Sequence, residues 1–598
     1  MNQILRIVQF MRRRTKLAFI AVVLVAVLES LTTIASPRIV EEIINQVFYD
    51  KQLMKLIPLL AIAFGLTLVS GIFLFAQKYL NEYVTQKIIY LIRNKLYSKI
   101  QSQSIDFFDR IETGQLISRG TIDVNAIKRL MSGGFRIFLS AIILYVGIFV
   151  MIGIADWRIL IIGIVIASIL LIIMYNYTKR SRPLFRTIQN KFGDLNSVLS
   201  ENIRGAKVIR AFATEDVEIE KFEKENQEYL DLNIKMSKLR SLMTVLFPFI
   251  LSLGSFLIWF IGGIQVLSGE ILVGTLVALN SYILLLKKPT RLMTYAVINY
   301  QEGRAALSRI FEIIDMEKKI KNKPDAIELE NVKGKITFEN ITFWYREDQP
   351  PVLRDISLEI SPGETVAFLG TTGSGKSTIV SLVPRFYDPQ EGRVLIDDID
   401  IRDLKIESLR KNISLVQQET FLYAKTIKEN IAFAKPDATD EEIIRVAKIA
   451  QAHEFIQSFP NGYETQVGER GVTLSGGQKQ RLTIARALLT DTPFLIMDDS
   501  SSALDFETEH QFQKAISELI KDRTTLIITQ RLSTIKFASK IIVMDKGEII
   551  EQGTHDELME NKGLYYYLYS SQLLTRKESL ESKKDKPEVK PKIWKGKL

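Results

Sequence analysis

Cysteine is absent from this 598-residue chain, so neither a disulfide nor a thiolate metal site can form. That is compatible with a reducing compartment. None of the apolar runs is expected to be a cleaved leader: the first is long, and no small-residue cleavage pattern follows it. Charge is scarce in the long apolar runs that fill the chain up to about residue 296, whereas residues beyond about 335 read as a soluble α/β protein. The averages, 47% hydrophobic and 24% charged, conceal these two halves. The length alone calls for several domains. The net charge is +10, and a good share of it lies in residues 576–598, rich in lysine and interrupted by Pro587 and Pro591. Such a tail cannot bury enough apolar surface to fold alone. It is expected to lie solvated near anionic lipid headgroups, and no nucleic-acid partner is expected.

A membrane-spanning helix needs ~20 mostly apolar residues. Six segments qualify, at about 17–34, 56–75, 137–155, 159–175, 242–266 and 272–296. The third and fourth are separated only by Asp156, Trp157 and Arg158, which implies a tight turn. Lysine and arginine crowd the N-terminus and the stretches 78–136 and 179–240, but are sparse in the other three connections. Both termini and the two long connections are therefore expected on the cytoplasmic side. These connections contain few glycines or prolines. They are expected to continue the spanning helices into the cytoplasm and fold back as helical hairpins with a short cross-piece at each tip. Residues 3–11 place Ile4, Leu5, Ile7, Val8, Phe10 and Met11 beside a basic cluster, which predicts a helix on the membrane surface. Glu29 is the clearest ionisable residue inside a span. Its cost demands a cavity, a partner or a proton. A substrate role and a helix–helix contact both fit. Asn280 and Ser281 read more simply as polar glue between helices.

In the second half, the apolar run 365–369 leads straight into Gly370, Thr371, Thr372, Gly373, Ser374, Gly375, Lys376 and Ser377, followed by Thr378 and a helix start. Strand, glycine loop, helix is the setting of a phosphate-binding P-loop. Its backbone N–H groups cradle phosphates, Lys376 neutralises their oxygens, and Ser377 ligates Mg²⁺. About a hundred residues later comes Leu474, Ser475, Gly476, Gly477 and Gln478. Residues 494–497 form an apolar run ending in Asp498, the expected metal-side carboxylate.

This pair of motifs, in this order, resembles the nucleotide-binding domain of ABC transporters over residues 336–572. With the six spans before it, almost the entire chain resembles a half-transporter of the ABC exporter type. The resemblance implies a multi-domain membrane protein: an all-α six-helix transmembrane domain followed by an α/β P-loop ATPase domain. The boundaries are an amphipathic elbow helix (1–15), the transmembrane domain (16–320), a linker (321–335), the ATPase domain (336–572) and a basic tail (573–598). It also implies ATP and Mg²⁺ as cofactors, with the membrane, its lipids and an amphipathic solute as partners. Tyr345 would stack on adenine, with Trp344 the alternative. Gln418 would be the Q-loop residue between Mg²⁺ and the membrane domain. Gln417 departs from a proline often found there. Val467–Gly471 matches exporters rather than importers, and residues 502–505 form the D-loop. Residues 107–109 with 113–119, and 201–205 with 208–212, match the two exporter coupling loops. In such proteins two ATPase domains meet head to tail, so Ser475, Gly476 and Gly477 would touch ATP held by a second half-transporter.

Two residues depart from the family pattern. Where it has a water-orienting glutamate, this chain has Asp499; where it has a switch histidine, this chain has Gln530. Aspartate draws the carboxylate back by ~1.5 Å. A misplacement of ~1 Å can cost on the order of 10²-fold in rate. Glutamine donates a hydrogen bond but cannot become cationic. The expectation is a P-loop site that binds ATP and hydrolyses it poorly, beside an intact signature motif that completes a different partner's competent site. The combination resembles one subunit of bacterial heterodimeric multidrug exporters. A slow homodimer and a nucleotide-gated regulator or channel are the competing readings.

Overall fold

The computed structural model describes residues 6–7, 11–418, 420–499, 506–529, 532–571 and 573. It divides into two compact units: residues 1–102 with 112–316, and residues 103–111 with 317–598.

The first unit is helical. Helices α1 (Arg13–Glu42) and α2 (Leu56–Gln101) precede the first tip; α3 (Ile105–Arg110) is the short cross-piece there and belongs to the second unit. Then come α4 (Phe135–Ala155), α5 (Trp157–Arg204), α6 (Ala206–Phe212) and α7 (Glu215–Leu267). Five helical stretches among the described residues are long and apolar enough to cross a membrane. Helices α2, α5 and α7, of 46, 48 and 53 residues, reach ~70–80 Å at ~1.5 Å per residue. That is more than twice the ~30 Å hydrocarbon core, so the predicted extensions of the spans are present. Lys191 on α5 bridges Glu225 and Glu228 on α7, each at 2.6 Å, pinning one hairpin. The tight turn after α4 is a single residue, Asp156, whose carboxylate accepts from the N–H groups of Arg158 and Ile159 and caps α5.

The sixth apolar run is not one helix. It breaks at Leu286 into α8 (Val273–Leu285) and α9 (Lys287–Asp315). Pro289 lacks the N–H that would bond the Leu285 carbonyl, which explains the break. Beside it, Lys288 meets Glu29 of α1 at 3.3 Å, and Glu29 is buried. That is a helix–helix contact. Asn280 bonds Ser255 on α7, and the Ser281 hydroxyl returns to the Val277 carbonyl, as expected of polar glue. The N-terminal segment corrects its surface reading at two positions: Ile7 and Met11 are buried against protein, while Arg6 pairs with Asp315 and lies over the Phe311 ring. The other apolar residues of 3–10 lie outside the described residues.

The second unit holds two sheets. One is antiparallel, in the order β2 (Leu353–Ile360), β1 (Ile336–Phe343), β4 (Glu391–Ile396), β5 (Ile399–Asp400). The other runs β10 (Glu548–Gly553), β9 (Lys540–Asp545), β3 (Thr365–Gly370), β8 (Thr524–Thr529), β7 (Phe494–Asp499), β6 (Ile413–Val416). Its β9–β3–β8–β7–β6 core is parallel. Strands β3 and β8 are buried along their whole length, as strands covered on both faces of a parallel sheet are. Part of the stretch between the halves is bound to this unit: Ile327 bridges Leu404, Leu329 is buried, and the N–H groups of 333–335 converge on Asp397.

Candidate functional site

Ligands of open parallel sheets gather at the carboxyl ends of the strands. Four neighbouring strands deliver the sequence-predicted residues to that edge. The P-loop follows β3, Asp498 and Asp499 end β7, Thr529 ends β8 opposite Asp499, and Gln418 follows β6 and is exposed. Gln530 and residues 502–505 lie outside the described residues, as does the side chain of Asp499.

Two glycines dictate the loop. Gly370 has φ +143°, and a Cβ there would fall 2.0 Å from the Met544 carbonyl oxygen. Gly375 has φ +99° and caps α10 (Lys376–Leu382); its Cβ would meet Leu353 at 2.7 Å. Between them, Thr371 donates to Asp545 at 3.3 Å, and the Ser374 carbonyl accepts from the Gly547 N–H. Thr372 and Gly373 complete the loop. Lys376 is buried and donates to the Gly370 and Thr371 carbonyls and the Ser374 hydroxyl at 3.0, 2.7 and 3.2 Å. Burial holds its ammonium below the usual lysine range, against the pull of Asp498. Ser377 Oγ lies 3.5 Å from Asp498 Oδ2. A hydroxyl and a carboxylate converging beside a glycine cradle are the hard oxygen donors a phosphate-bound Mg²⁺ takes, so the residues fit both ATP and its metal.

The two aromatic candidates differ in exposure. The Trp344 indole N–H is buried, whereas the Tyr345 ring is 39% exposed. Tyr345 bonds Thr378 at 3.0 Å and stands edge-on to Phe343 and Tyr387, with centroids 5.0 and 5.3 Å away. Burial raises its phenol pKa.

Nothing in the sequence marked Tyr387. Its hydroxyl donates to Asp109 of α3 at 2.6 Å, and burial together with that carboxylate pushes its phenol up. The rest of the cross-piece is equally fixed. Asp106 bonds Ser104 and bridges Lys319 and Arg110; burial alone would raise its carboxyl, but these partners hold it below the usual range. Phe107 is buried against the Phe108 edge. The second tip differs. Helix α6 buries no residue, Val208 and Phe212 are 60% and 75% exposed, and Ala213 ends it at φ +51°.

On the signature face, Ser475 is the N-cap of α11 (Gly476–Thr490). Its Oγ accepts from the Gln478 N–H at 3.3 Å, and Gln478 Oε1 accepts from the Ser475 N–H at 2.9 Å. This reciprocal box leaves Ser475 and Gly476 exposed at the positive end of a 15-residue helix, with Gly477 buried beneath. Behind it, Arg486 donates to the Asn430 carbonyl at 2.9 Å.

Comparison with known proteins agrees with this architecture. The ABC transporter transmembrane region matches residues 19–289, and the ABC transporter family matches residues 353–502. YgaD of Bacillus subtilis (strain 168), provisionally named a multidrug export ATP-binding/permease protein, is 39% identical over 95% of this chain and 99% of its own. The ATP-dependent lipid A-core flippase of Syntrophus aciditrophicus (strain SB) is 38% identical over 89% of this chain and 88% of its own. Among solved structures, a bacterial Atm1-family ABC exporter with ATP bound superposes with a TM-score of 0.77, at 26% identity, over 93% of this chain and 98% of that one. Taken with the P-loop on β3, the capped signature helix and the long spanning helices, these matches make the chain a member of the ABC transporter family, an exporter-type half-transporter with its own membrane and ATP-binding domains.

Proposed function

We propose that this chain is one subunit of a heterodimeric exporter that moves amphipathic drugs or lipids out of the cytoplasm or inner leaflet, with its own ATP site hydrolytically impaired. The observation that carries the proposal is Asp499: it ends β7 directly after Asp498, whose carboxylate faces Ser377, at the point where the family pattern has glutamate. Gln530 in place of histidine, next after β8, reinforces it. The well-capped signature helix supports the other half of the reading, service to a partner's site.

At this chain's own site, Lys376 exchanges its bonds to the loop carbonyls for phosphate oxygens. Ser377 and Asp498 would hold Mg²⁺, which supplies charge neutralisation when bound. Tyr345 offers its open ring face to adenine, Thr378 fixing that ring, and Gln418 would lie on the metal side. Gly370–Gly375 bring backbone N–H groups to the phosphates. Asp499 leaves the attacking water poorly oriented. Ser475, Gly476, Gly477 and Gln478 face the partner's nucleotide. Both termini and the ATPase domain are assigned to the cytoplasmic side of the plasma membrane, from the lysine and arginine bias of the connections. Six crossings require α8 and the start of α9 to complete the sixth. One relative is named for multidrug export and another for a lipid; both classes are amphipathic, which supports the substrate class.

The test is purification of the chain with its natural membrane partners and alone. A co-purifying half-transporter carrying glutamate and histidine, and feeble ATPase activity of the chain alone in nanodiscs, are expected. Turnover of several per second from the lone chain, approaching the ~10 s⁻¹ median of enzymes, would favour a homodimer.

A further inference from the structure

The membrane unit contains a cavity of about 980 Å³ between α5, α7 and α9. Its wall is apolar and deformable, with thioethers from Met174, Met236 and Met243. Its polar lining is unbalanced. Among the described lining residues, Arg182, Arg240 and Lys287 bring three positive charges, while the one carboxylate, Glu302, is engaged by Arg129 at 3.0 Å. Nη2 of Arg182 is buried without a hydrogen-bond partner among the described residues. A buried cationic donor left unpaired is costly, and an anionic group in the cavity would remove that cost. The sequence places the cavity at a boundary. Arg182 follows the apolar run 159–175 and Arg240 precedes the run 242–266, so cations cluster where hydrocarbon gives way to the charged hairpin. Pro248, also in the lining, frees the Thr244 carbonyl inside α7, adding local irregularity to the wall.

We propose that this cavity binds an anionic amphiphile, with its phosphate or carboxylate head on Arg182, Arg240 and Lys287 and its apolar body against the methionine wall. The proposal rests on the exporter reading and narrows its substrate class from amphipathic to anionic amphipathic. Dispersion and area burial hold the body, and charge-assisted hydrogen bonds select the head.

The test uses the full chain in phosphatidylcholine nanodiscs and a diazirine-bearing hexadecyl phosphate, with cross-links mapped by peptide mass spectrometry. Saturable labelling of residues 236–248 is expected. Hexadecyl phosphate is expected to compete at least about tenfold better than chain-matched phosphocholine or trimethylammonium, since a hydrogen bond to a charged group is worth at least about one decade in affinity. Arg182→Gln and Arg240→Gln are each expected to weaken probe binding by about the same factor, with Arg182→Lys retaining most of it. Binding of a fluorescent ATP analogue reports that each variant is folded; if Arg182→Gln fails that check, Arg240→Gln and Lys287→Gln carry the test. Nanodiscs containing phosphatidylglycerol separate the sources: competition identifies a bilayer lipid, and none identifies a solute. Equal competition by all three heads, or wild-type labelling of the folded charge variants, overturns the proposal. ATP-driven dye transport by the wild-type complex tests the exporter reading separately, because cross-linking requires no turnover.

Discussion

The ATPase domain presents two faces of unequal quality. At the P-loop face the scaffold is fully built, with Gly370 and Gly375 in place, Lys376 buried and Ser377 turned to Asp498, yet the sequence has Asp499 and Gln530 where the resemblance leads one to expect glutamate and histidine. At the signature face nothing is altered, and a complete capping box fixes Ser475 and Gln478. Phosphate binding depends on backbone geometry and charge, whereas water activation depends on one carboxylate placed within about an ångström. A site can therefore lose turnover while keeping its ligand. On the proposed reading, binding and hydrolysis are separable in this fold.

The comparison is sharpened most by Gly477→Asp in the reconstituted complex. A carboxylate ~4 Å from a phosphate charge costs ~4 kcal/mol at an effective dielectric of ~20, or about 10³-fold. Transport and ATPase activity are both expected to collapse. Next comes repair of the weak face. With the partner's catalytic glutamate neutralised, Asp499→Glu combined with Gln530→His is expected to raise residual ATPase activity on the order of 10²-fold; no gain would mean that these residues are not the defect. Tyr387→Phe removes the bond to Asp109. A hydrogen bond to a charged group is worth ~1.5–3 kcal/mol, so transport per ATP hydrolysed is expected to fall about tenfold while ATP binding holds. Asp499→Ala is expected to change complex activity by less than the tenfold that ~1.4 kcal/mol represents. If it matches Gly477→Asp, the comparison is broken and the P-loop face is the catalytic one.

The smallest effect is on pH. The buried Lys376 titrates below the ordinary 10.5. Between its lowered value and 10.5 the unfolded chain binds more protons, so stability of the nucleotide-free domain rises with pH through that window. Phosphate restores the charge, so nucleotide binding takes up a proton and weakens with pH through the same window. Opposite slopes in thermal unfolding and in ATP-analogue binding are the check.

Sequence alone made the P-loop and signature legible because their chemistry is local: a few glycines, a lysine and a hydroxyl within eight consecutive positions. The spans were legible because the bilayer imposes a length. The break at Leu286 was harder, since composition continues across it and only Pro289 marks it. Contacts between distant positions were hidden. Nothing near Glu29 announces Lys288, and nothing near Asp109 announces Tyr387. Composition showed an apolar stretch containing Ile7 and Met11, but not whether lipid or protein covers it. The connector was also ambiguous, because its attachment to the ATPase unit runs through backbone N–H groups meeting Asp397, a device any sequence can use.

The exposed tip at α6 has a consequence for the cell. Val208 and Phe212 stand in water at the end of a hairpin built from helices of 48 and 53 residues, and such apolar surface invites chaperones and proteases when nothing covers it. If the chain is the heterodimer subunit proposed above, a surplus of it would carry that mark, and its half-life would follow the supply of the other subunit. Matched production of two chains would then be enforced by degradation of the surplus, without any dedicated regulator.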